Sequence, residues 1–493
     1  MMPILSRSQL RRHPPLQSMP VVLLAAVCAS AVPYVVHDPM LFVSGSYTES
    51  LAEGLWQMVY EGVHAASRHP KLAVVQAALL YLQHLPTRHH DIPGESCVRS
   101  VFLGGTVALA MSLGLHLEPR PWGIPAWEKR LRRRLWWAVY LEDKWTSLLL
   151  GRPPIIRPDE WDVLDLDEGD FFDDDDHGND DERSVDVHLS AAGGGAAAAS
   201  SSSSSPSFYA RVFPYFIRLA RLAENIHQTF YTLRNSQRLS NNFRASIDAA
   251  RPIREGLQSW YSGLPDDLRL RPREGGGAGT QSPPKRHHGV AVLHFAYLTL
   301  ELLLYRAILR PLARSPPPPP ISSEDAPPSA GAAPTTSPWH DPQSPWQLDD
   351  LVVDSLQLDQ LPVVDSSVFG EAAEATINAA EKCAGIIVNF LGTLSAQDFD
   401  VLWYPWTSVC FATVTNFIVL LLVQAPTEWH ATRSKELLDK WSSTLQSQHK
   451  NHTALMRLGL VRLHSLNAAE LDQVFLLSPA AKEVLRRRSP SVR

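Results

Sequence analysis

Cysteine is scarce in this sequence, and its placement argues against two classes of protein. The 493 residues include four cysteines. They are Cys28, Cys97, Cys383 and Cys410, and none of them forms a Cys-x-x-Cys pair. Neither a cysteine zinc site nor a disulfide-rich secreted protein is therefore predicted. Because most of the four have apolar neighbours, the pattern indicates reduced, buried thiols in an intracellular protein.

The motifs that carry common enzyme chemistry are also missing. The sequence has no Gly-x-Ser-x-Gly elbow, phosphate-binding loop, dinucleotide glycine pattern or His-Glu-x-x-His motif. The densest group of metal-ligand residue types is His84, His89, His90 and Asp91. Pro86 interrupts this group and its spacing matches no zinc site, so a surface loop is the better interpretation. The sequence predicts no enzyme, and no catalytic, cofactor or metal site.

An overall basic charge, which would suit non-specific binding to nucleic acid, is absent as well. The formal net charge is -6. Fifteen acidic residues and one arginine lie between Asp159 and Asp186, so the rest of the chain is mildly basic. This run predicts a solvated insertion, although its interspersed apolar residues leave an activation segment as an alternative.

Long apolar runs are few, and two of them could suggest a membrane. They extend over Val21 to Val36 and over Val401 to Pro426. Polar residues and prolines within or beside these runs favour buried helices of a large core over membrane spans. A helical membrane-associated protein remains the alternative to the function developed below.

Strand patterns are missing too, because no stretch sustains a period-two alternation between turn signals. Apolar residues recur instead at helical spacing along most of the chain. The predicted fold is all-α: one large, irregular multi-helix domain interrupted by disordered low-complexity insertions. The predicted divisions are a disordered basic N-terminus (1–20), a first helical half (21–165), an acidic, alanine- and serine-rich insertion (166–207), further helices (208–312), a proline-rich linker (313–367), C-terminal helices (368–476) and a basic tail (477–493).

The most specific stretch extends from Pro125 to Pro154. It contains four of the 14 tryptophans. Its apolar and aromatic residues surround the predicted helix, which indicates a central, covered helix whose arginines brace the domain core. Asp143 lies among aromatic residues and needs a charged or N–H partner. We predict Arg152 as that partner, because the turn after the helix can fold back.

This stretch and the helix before it resemble the regulatory middle-homology domain of fungal zinc binuclear cluster transcription factors. The family pattern is a small-residue helix ending Leu-Gly-Leu-His, an arginine-rich Trp-Trp helix with an acidic residue, and then Gly-Arg-Pro. The matching residues here are Leu113, Gly114, His116, Arg133, Arg134, Trp136, Trp137, Tyr140, Asp143, Gly151, Arg152 and Pro153. The resemblance implies a nuclear, fungal regulator of RNA polymerase II genes, with these residues in structural roles.

A second resemblance narrows the family. The Trp403-Tyr404-Pro405-Trp406 turn leads into an uncharged helix, and Gln76 and Gln83 lie upstream. This combination is similar to the branch that includes activators of nitrogen-source catabolism.

The sequence departs from the family at its DNA-binding module. That module uses six closely spaced cysteines around two zinc ions, and no such cluster occurs here. We therefore expect no cofactor in this chain, and either a truncated start or a protein that acts without contacting DNA itself. The implied partners are other transcription regulators or coactivators, with DNA reached only indirectly or through the missing module, no membrane, and a dimer as one option. The basic tail at Arg486 to Arg488 is the candidate for nuclear import.

Overall fold

In the computed structural model, the regular secondary structure of the described residues is helical. These are residues 3–5, 19–38, 40, 49–85, 97–171, 208–270, 289–312, 370–399, 401–449, 453–464 and 475–487. Over these ranges the chain forms fifteen α-helices and no strand, which confirms the all-α prediction. The helices are α1 Val21–Ala31, α2 Glu49–Ala66, α3 Leu72–Leu82, α4 Cys97–Ser112, α5 Ala126–Leu150, α6 Phe208–Ile226, α7 Leu233–Leu239, α8 Phe243–Ser262, α9 Val290–Leu309, α10 Glu371–Gly392, α11 Ala396–Phe399, α12 Thr407–Val423, α13 Glu428–His449, α14 Thr453–His464 and α15 Pro479–Arg487.

One continuous apolar core runs through these helices. Helices α1, α2 and α3 pack together, and α3 and α4 connect them to α5. Helix α5 packs on α6, α6 on α9, and α9 on α10 and α12. Helices α13 and α14 cover α12, and α15 lies on α13. Helices α5, α9 and α12 are buried over most of their length, so they form the centre of the domain.

Local sequence signals fix the ends of the helices around α5. Pro125 precedes α5 and Glu128 lies in its first turn, where a negative charge complements the helix dipole. Gly114 and Gly151 end α4 and α5 with left-handed backbone angles of φ 70° and 63°. After each glycine the next backbone N–H bonds back to a carbonyl five residues earlier, which is the Schellman closure.

Three predicted boundaries are wrong at particular residues. Ile4 lies in the predicted disordered N-terminus, yet it is buried and its carbonyl accepts a 2.6 Å hydrogen bond from Gln76 Nε2. Asp170 lies in the predicted insertion, yet it is buried against Arg133. Part of the predicted basic tail forms α15, which buries its apolar face. The rest of the insertion and the proline-rich linker lie outside the described residues, as do His89, His90, Asp91 and Arg488.

In the described part of the chain, a single helical segment is long and apolar enough to cross a membrane. It is Val290–Leu312, and 72% of its most apolar window is buried inside the fold. The apolar stretches that suggested a membrane from the sequence form shorter helices, Val21–Val35 and Thr407–Val423. A buried core helix satisfies the same length and composition criteria, and nothing in the fold favours the membrane alternative.

Candidate functional site: the signature helix and its buried polar network

Helix α5 is covered on all sides over its central three turns. Every residue from Leu135 to Trp145 is buried, including the charged residues Glu142, Asp143 and Lys144. Burying three charged side chains in sequence is costly unless each is paired and hydrogen-bonded. The partners of these three residues therefore define the site, because they decide which other segments α5 must hold.

The turn that ends α4 is held by the first half of α5. Arg132 Nη1 donates a 2.8 Å hydrogen bond to the carbonyl of Leu113, and its guanidinium also pairs with Glu128 at 2.8 Å. The same guanidinium lies 5.2 Å from the ring of Trp122. A β-carbon at Gly114 would come to 3.1 Å from that ring, so the close approach favours glycine here, as does its left-handed backbone angle. The Leu-Gly-Leu-His turn is thus a docking element for α5.

Residues 161–171, named the strap here, cross the middle of α5. Arg133 is buried and donates to both carboxylate oxygens of Asp170 and to the carbonyls of Leu164 and Asp165. The indole N–H of Trp137 donates to the Leu164 carbonyl at 3.0 Å. Side chains of α5 thus donate hydrogen bonds to backbone carbonyls of the strap at residues that lie outside regular secondary structure.

The aromatic residues of the signature fill the space beneath the strap. The ring of Trp136 lies 6.2 Å from those of His116 and Trp161, and the ring of Trp137 lies 5.2 Å from that of Tyr140 at a steep angle. Edge-to-face contacts of this kind add to the apolar burial of the rings. The structure therefore brings His116, the Trp-Trp pair and Tyr140 together around the strap.

A buried ionic cluster connects α5 to α6. Lys144 Nζ lies 2.8 Å from Glu224 Oε1 and 3.3 Å from Asp143 Oδ2, and it donates to the carbonyl of Ile156. Glu224 also accepts a 2.5 Å hydrogen bond from the hydroxyl of Tyr140. Burial and this neighbouring carboxylate raise the pKa of Tyr140 above its usual range, so the phenol stays a proton donor.

The predicted pairing of Asp143 with Arg152 is wrong. Asp143 accepts hydrogen bonds from the backbone N–H groups of Ile155 and Ile156, at 2.9 and 3.1 Å. Arg152 turns the other way and donates to the hydroxyl of Ser100 on α4. The left-handed Gly151 causes this, because it reverses the chain so that the Arg152 side chain points at α4 while the following N–H groups meet the carboxylate.

The Gly-Arg-Pro turn itself is therefore organised by Asp143 and Lys144 together. Burial raises the pKa of Asp143, an effect that the Lys144 ammonium and the two backbone N–H groups oppose. Gly151 and Pro153 are exposed at the turn, whereas Arg134 is buried within α5. The signature residues thus divide into turn-forming positions and buried positions that hold those turns.

A second polar cluster connects α5 to the N-terminal helices. Glu142 Oε1 accepts a 2.7 Å hydrogen bond from Gln83 Nε2, and its other oxygen lies 4.0 Å from Arg99 Nη2. Burial raises the pKa of Glu142 to about 7, although Arg99 and Gln83 partly oppose this rise. Arg99 in turn donates to the carbonyl of Leu82 at the end of α3.

The Trp-Tyr-Pro-Trp turn meets the same helix from the C-terminal side. The rings of Trp145 and Trp406 stack with centroids 4.2 Å apart and an interplanar angle of 3°. Trp406 also stacks on Tyr404, whose ring contacts Phe216 of α6. The two sequence motifs that appeared separate are therefore one packed site.

Sequence reasoning missed several members of this site. Glu142 and Lys144 carried a signal, because charged residues lay on a helix that was apolar all round. Asp143 and Gln83 were also marked in the sequence, but no pattern paired them with Lys144 and Glu142. Glu224 is 84 positions from Tyr140, and no local pattern marks it. Among the described residues, no group of three or more His, Cys, Asp or Glu side chains is placed to hold a metal ion.

The comparisons with known proteins identify the family of the chain. A family model described as the fungal specific transcription factor domain matches residues 1–262, more than half of the chain. The chain belongs to this family. A member of the fungal transcription factor family is a transcription regulator. Helix α5, the α4 turn and the strap lie inside the matched region, whereas the Trp-Tyr-Pro-Trp turn lies outside it.

Several curated relatives carry regulatory names. The transcriptional activator protein DAL81 of Saccharomyces cerevisiae is 28% identical over 301 residues, which cover 58% of this chain and 29% of that protein. The acetamidase regulatory protein of Aspergillus oryzae is 26% identical over 233 residues, 47% of this chain and 24% of the relative. Cutinase transcription factor 1 beta of Fusarium vanettenii is 30% identical over 101 residues, 20% of this chain and 11% of the relative. The matched part of the chain spans less than a third of the length of each of these relatives. No solved structure matches the chain.

Proposed function

We propose that this chain is the regulatory domain of a nuclear regulator of RNA polymerase II genes. One observation carries the proposal: α5 fastens the α4 turn, the strap, α6 and the Trp-Tyr-Pro-Trp turn to itself by buried polar and aromatic contacts. Such a helix couples the N-terminal and C-terminal parts of the domain. A conformational change in one part alters the packing of the other part when both parts contact the same helix.

We further propose that DNA is reached indirectly, or through a zinc cluster module carried on a longer chain or by a partner. The arginines of α5 support this, because Arg133 is engaged with the strap and Arg132 with Glu128 and the Leu113 carbonyl. A guanidinium in such contacts is not free to neutralise a phosphate. The partners proposed are other transcription regulators or coactivators, with a dimer as one arrangement.

The chain itself is proposed to hold no zinc and to have no enzymatic activity. The regulatory names of the family and of the relatives support the second statement. The wide spacing of the four cysteines supports the absence of zinc, because the thiolates of a zinc site must converge within about 2.3 Å of the ion. Zinc content of the purified chain measured by mass spectrometry tests it, and stoichiometric zinc would contradict it.

The target genes are proposed to belong to nitrogen-source use. The name of the acetamidase regulatory protein supports this, together with the Trp-Tyr-Pro-Trp turn that docks on α5. Transcript profiling of a deletion strain on amide and on ammonium as sole nitrogen sources provides the test. A deletion profile confined to other pathways would contradict the assignment.

The central experiment fuses the full chain to an unrelated DNA-binding module and measures a reporter gene in a fungal host. The fusion is expected to change reporter output relative to the module alone. Trp406→Ala, which removes the stack on Trp145, is expected to abolish most of that change. Trp429→Ala is the matched control, because Trp429 is 56% exposed and its ring contacts His430 and Arg433 of its own helix, α13. Equal reporter output from both variants would contradict the role of α5. A wild-type fusion that leaves reporter output unchanged would contradict the regulatory function.

Nuclear location is tested separately with a fluorescent fusion of the full chain. Accumulation in the nucleus is expected, and Arg486→Gln with Arg487→Gln tests the basic C-terminal segment. Arg487 pairs with Glu428 and Glu483 but stays 61% exposed, so it remains accessible to a receptor. Exclusion of the wild-type fusion from the nucleus would contradict the proposal.

A further inference from the structure

A positively charged surface with an exposed leucine lies on α7 and the start of α8. Leu233 is 84% exposed at the start of α7, and Arg234, Arg238 and Arg244 are exposed along the twelve residues that begin with it. In the described part of the chain, none of the three guanidinium groups comes within ion-pair distance of a carboxylate. We name these four residues the arginine face.

The charge of the arginine face is not neutralised by nearby residues of the same segment. The sequence contains no Asp or Glu between Glu224 and Asp248. Glu224 is committed to Lys144 at 2.8 Å, and Asp248 pairs with Arg251 at 3.3 Å. The surface therefore carries a positive potential that attracts an acidic partner.

The arginine face is built on a braced element rather than on loose chain. A turn of π-helix, His227–Tyr231, precedes α7, and such turns are frequent at functional sites. Arg310 Nη1 donates a 2.6 Å hydrogen bond to the hydroxyl of Ser236, and Asn235 Nδ2 donates a 2.6 Å bond to the carbonyl of Gln228. These bonds fasten α7 to Arg310, which follows α9 directly, and to the π turn, so the element that carries Leu233 is held by side-chain hydrogen bonds.

We propose that the arginine face binds an acidic peptide segment of a partner regulator, with an apolar side chain of that segment against Leu233. Guanidinium groups form paired hydrogen bonds with carboxylates, and the leucine adds an apolar contact beside them. A nucleic-acid backbone would satisfy the arginines but leave Leu233 unused, so the peptide is favoured. This inference deepens the partner contact proposed above and rests on it for its biological role, whereas the binding itself is measurable on the purified chain.

The test is fluorescence anisotropy of labelled probes titrated with the full chain at low salt. The first probe is a synthetic peptide of about sixteen residues, rich in Asp and Glu, with Leu and Phe at helical spacing. A second peptide carries Asn and Gln in place of the acidic residues, and a third carries Ser in place of the apolar ones. A single-stranded DNA of similar length is the fourth probe.

The first peptide is expected to bind, and the other two peptides to bind at least about fivefold more weakly. Leu233→Ser is expected to weaken binding of the first peptide by about fivefold or more, and the double variant Arg234→Gln with Arg238→Gln is expected to do the same. Met40→Ser and Arg251→Gln are matched controls, because Met40 is 82% exposed and Arg251 is exposed but already paired. The proposal would be overturned if the first peptide does not bind, if the arginine-face and control variants bind it equally, or if the chain prefers the DNA. Reporter output of the fusion is independent of these results, so failure of this inference is distinguishable from failure of the proposed function.

Discussion

Lys144→Met is the most direct perturbation of the network that connects α5 to α6. Methionine keeps most of the side-chain volume and removes the ammonium that lies 2.8 Å from Glu224 and 3.3 Å from Asp143. Both carboxylates are buried, so each loses a cation that it cannot replace with water. Removing one partner of a buried ion pair costs about 3–5 kcal/mol of unfolding free energy. Because Asp143 keeps two backbone N–H donors and Glu224 keeps the Tyr140 hydroxyl, we expect the lower end, about 3 kcal/mol.

The assay is urea unfolding of the full chain followed by far-ultraviolet circular dichroism, which reports helix loss directly. Glu224→Gln in the Lys144→Met background removes one of the stranded charges while an amide oxygen still accepts from Tyr140. We therefore expect the double variant to recover part of the loss, with a coupling free energy of about 1–3 kcal/mol. Lys435→Met is the matched control, because Lys435 pairs with Asp439 at the surface and should cost less than about 1 kcal/mol. A Lys144→Met variant as stable as this control, or strictly additive effects in the double variant, would refute the reasoning.

Three further predictions concern other parts of the site. Burial raises the pKa of Glu142 to about 7. The folded state therefore binds more protons than the unfolded state between pH 4.5 and 7, and stability falls with rising pH by on the order of 3 kcal/mol. Glu142→Gln should remove that part of the pH dependence in urea titrations, and an unchanged profile would contradict it. Gly114→Ala should cost more than Gly151→Ala in thermal unfolding. Both strain a left-handed backbone by about 1 kcal/mol, but only at Gly114 does the β-carbon approach an indole ring. Arg133→Ala should increase hydrogen exchange in the strap more than in α5, with a stability loss of about 2–4 kcal/mol; an equal loss of protection in the strap and in α5 would refute the strap contact.

Helix positions were predicted well wherever the local pattern was sufficient. Helix α5 was predicted as central because its aromatic residues surround the axis, and it is buried over most of its length. Helix α15 was missed, because its arginines suggested a solvated tail. Its signal was present in the spacing of Ala481, Val484 and Leu485, which are buried.

The partners within the site could not be predicted for a physical reason. Which side chain meets Asp143 depends on the direction in which the chain leaves Gly151, and a single backbone angle decides it. Contacts such as Tyr140 with Glu224 join residues far apart in sequence, so local periodicity holds no information about them. The sequence identified the helix that organises the site, while the geometry was needed to show what that helix holds.

The family signature describes a folding constraint more than a chemical site. Its arginines, tryptophans and glycines fasten distant segments to one helix, so substitutions there should act first on stability and only through it on regulation. The arginine face differs, because Leu233 and its neighbouring arginines contribute little to the core and are exposed. Substitutions at that face should leave the unfolding transition unchanged and alter partner binding alone. Signature variants with normal stability but lost reporter output would contradict this division, as would arginine-face variants that unfold at lower urea concentration.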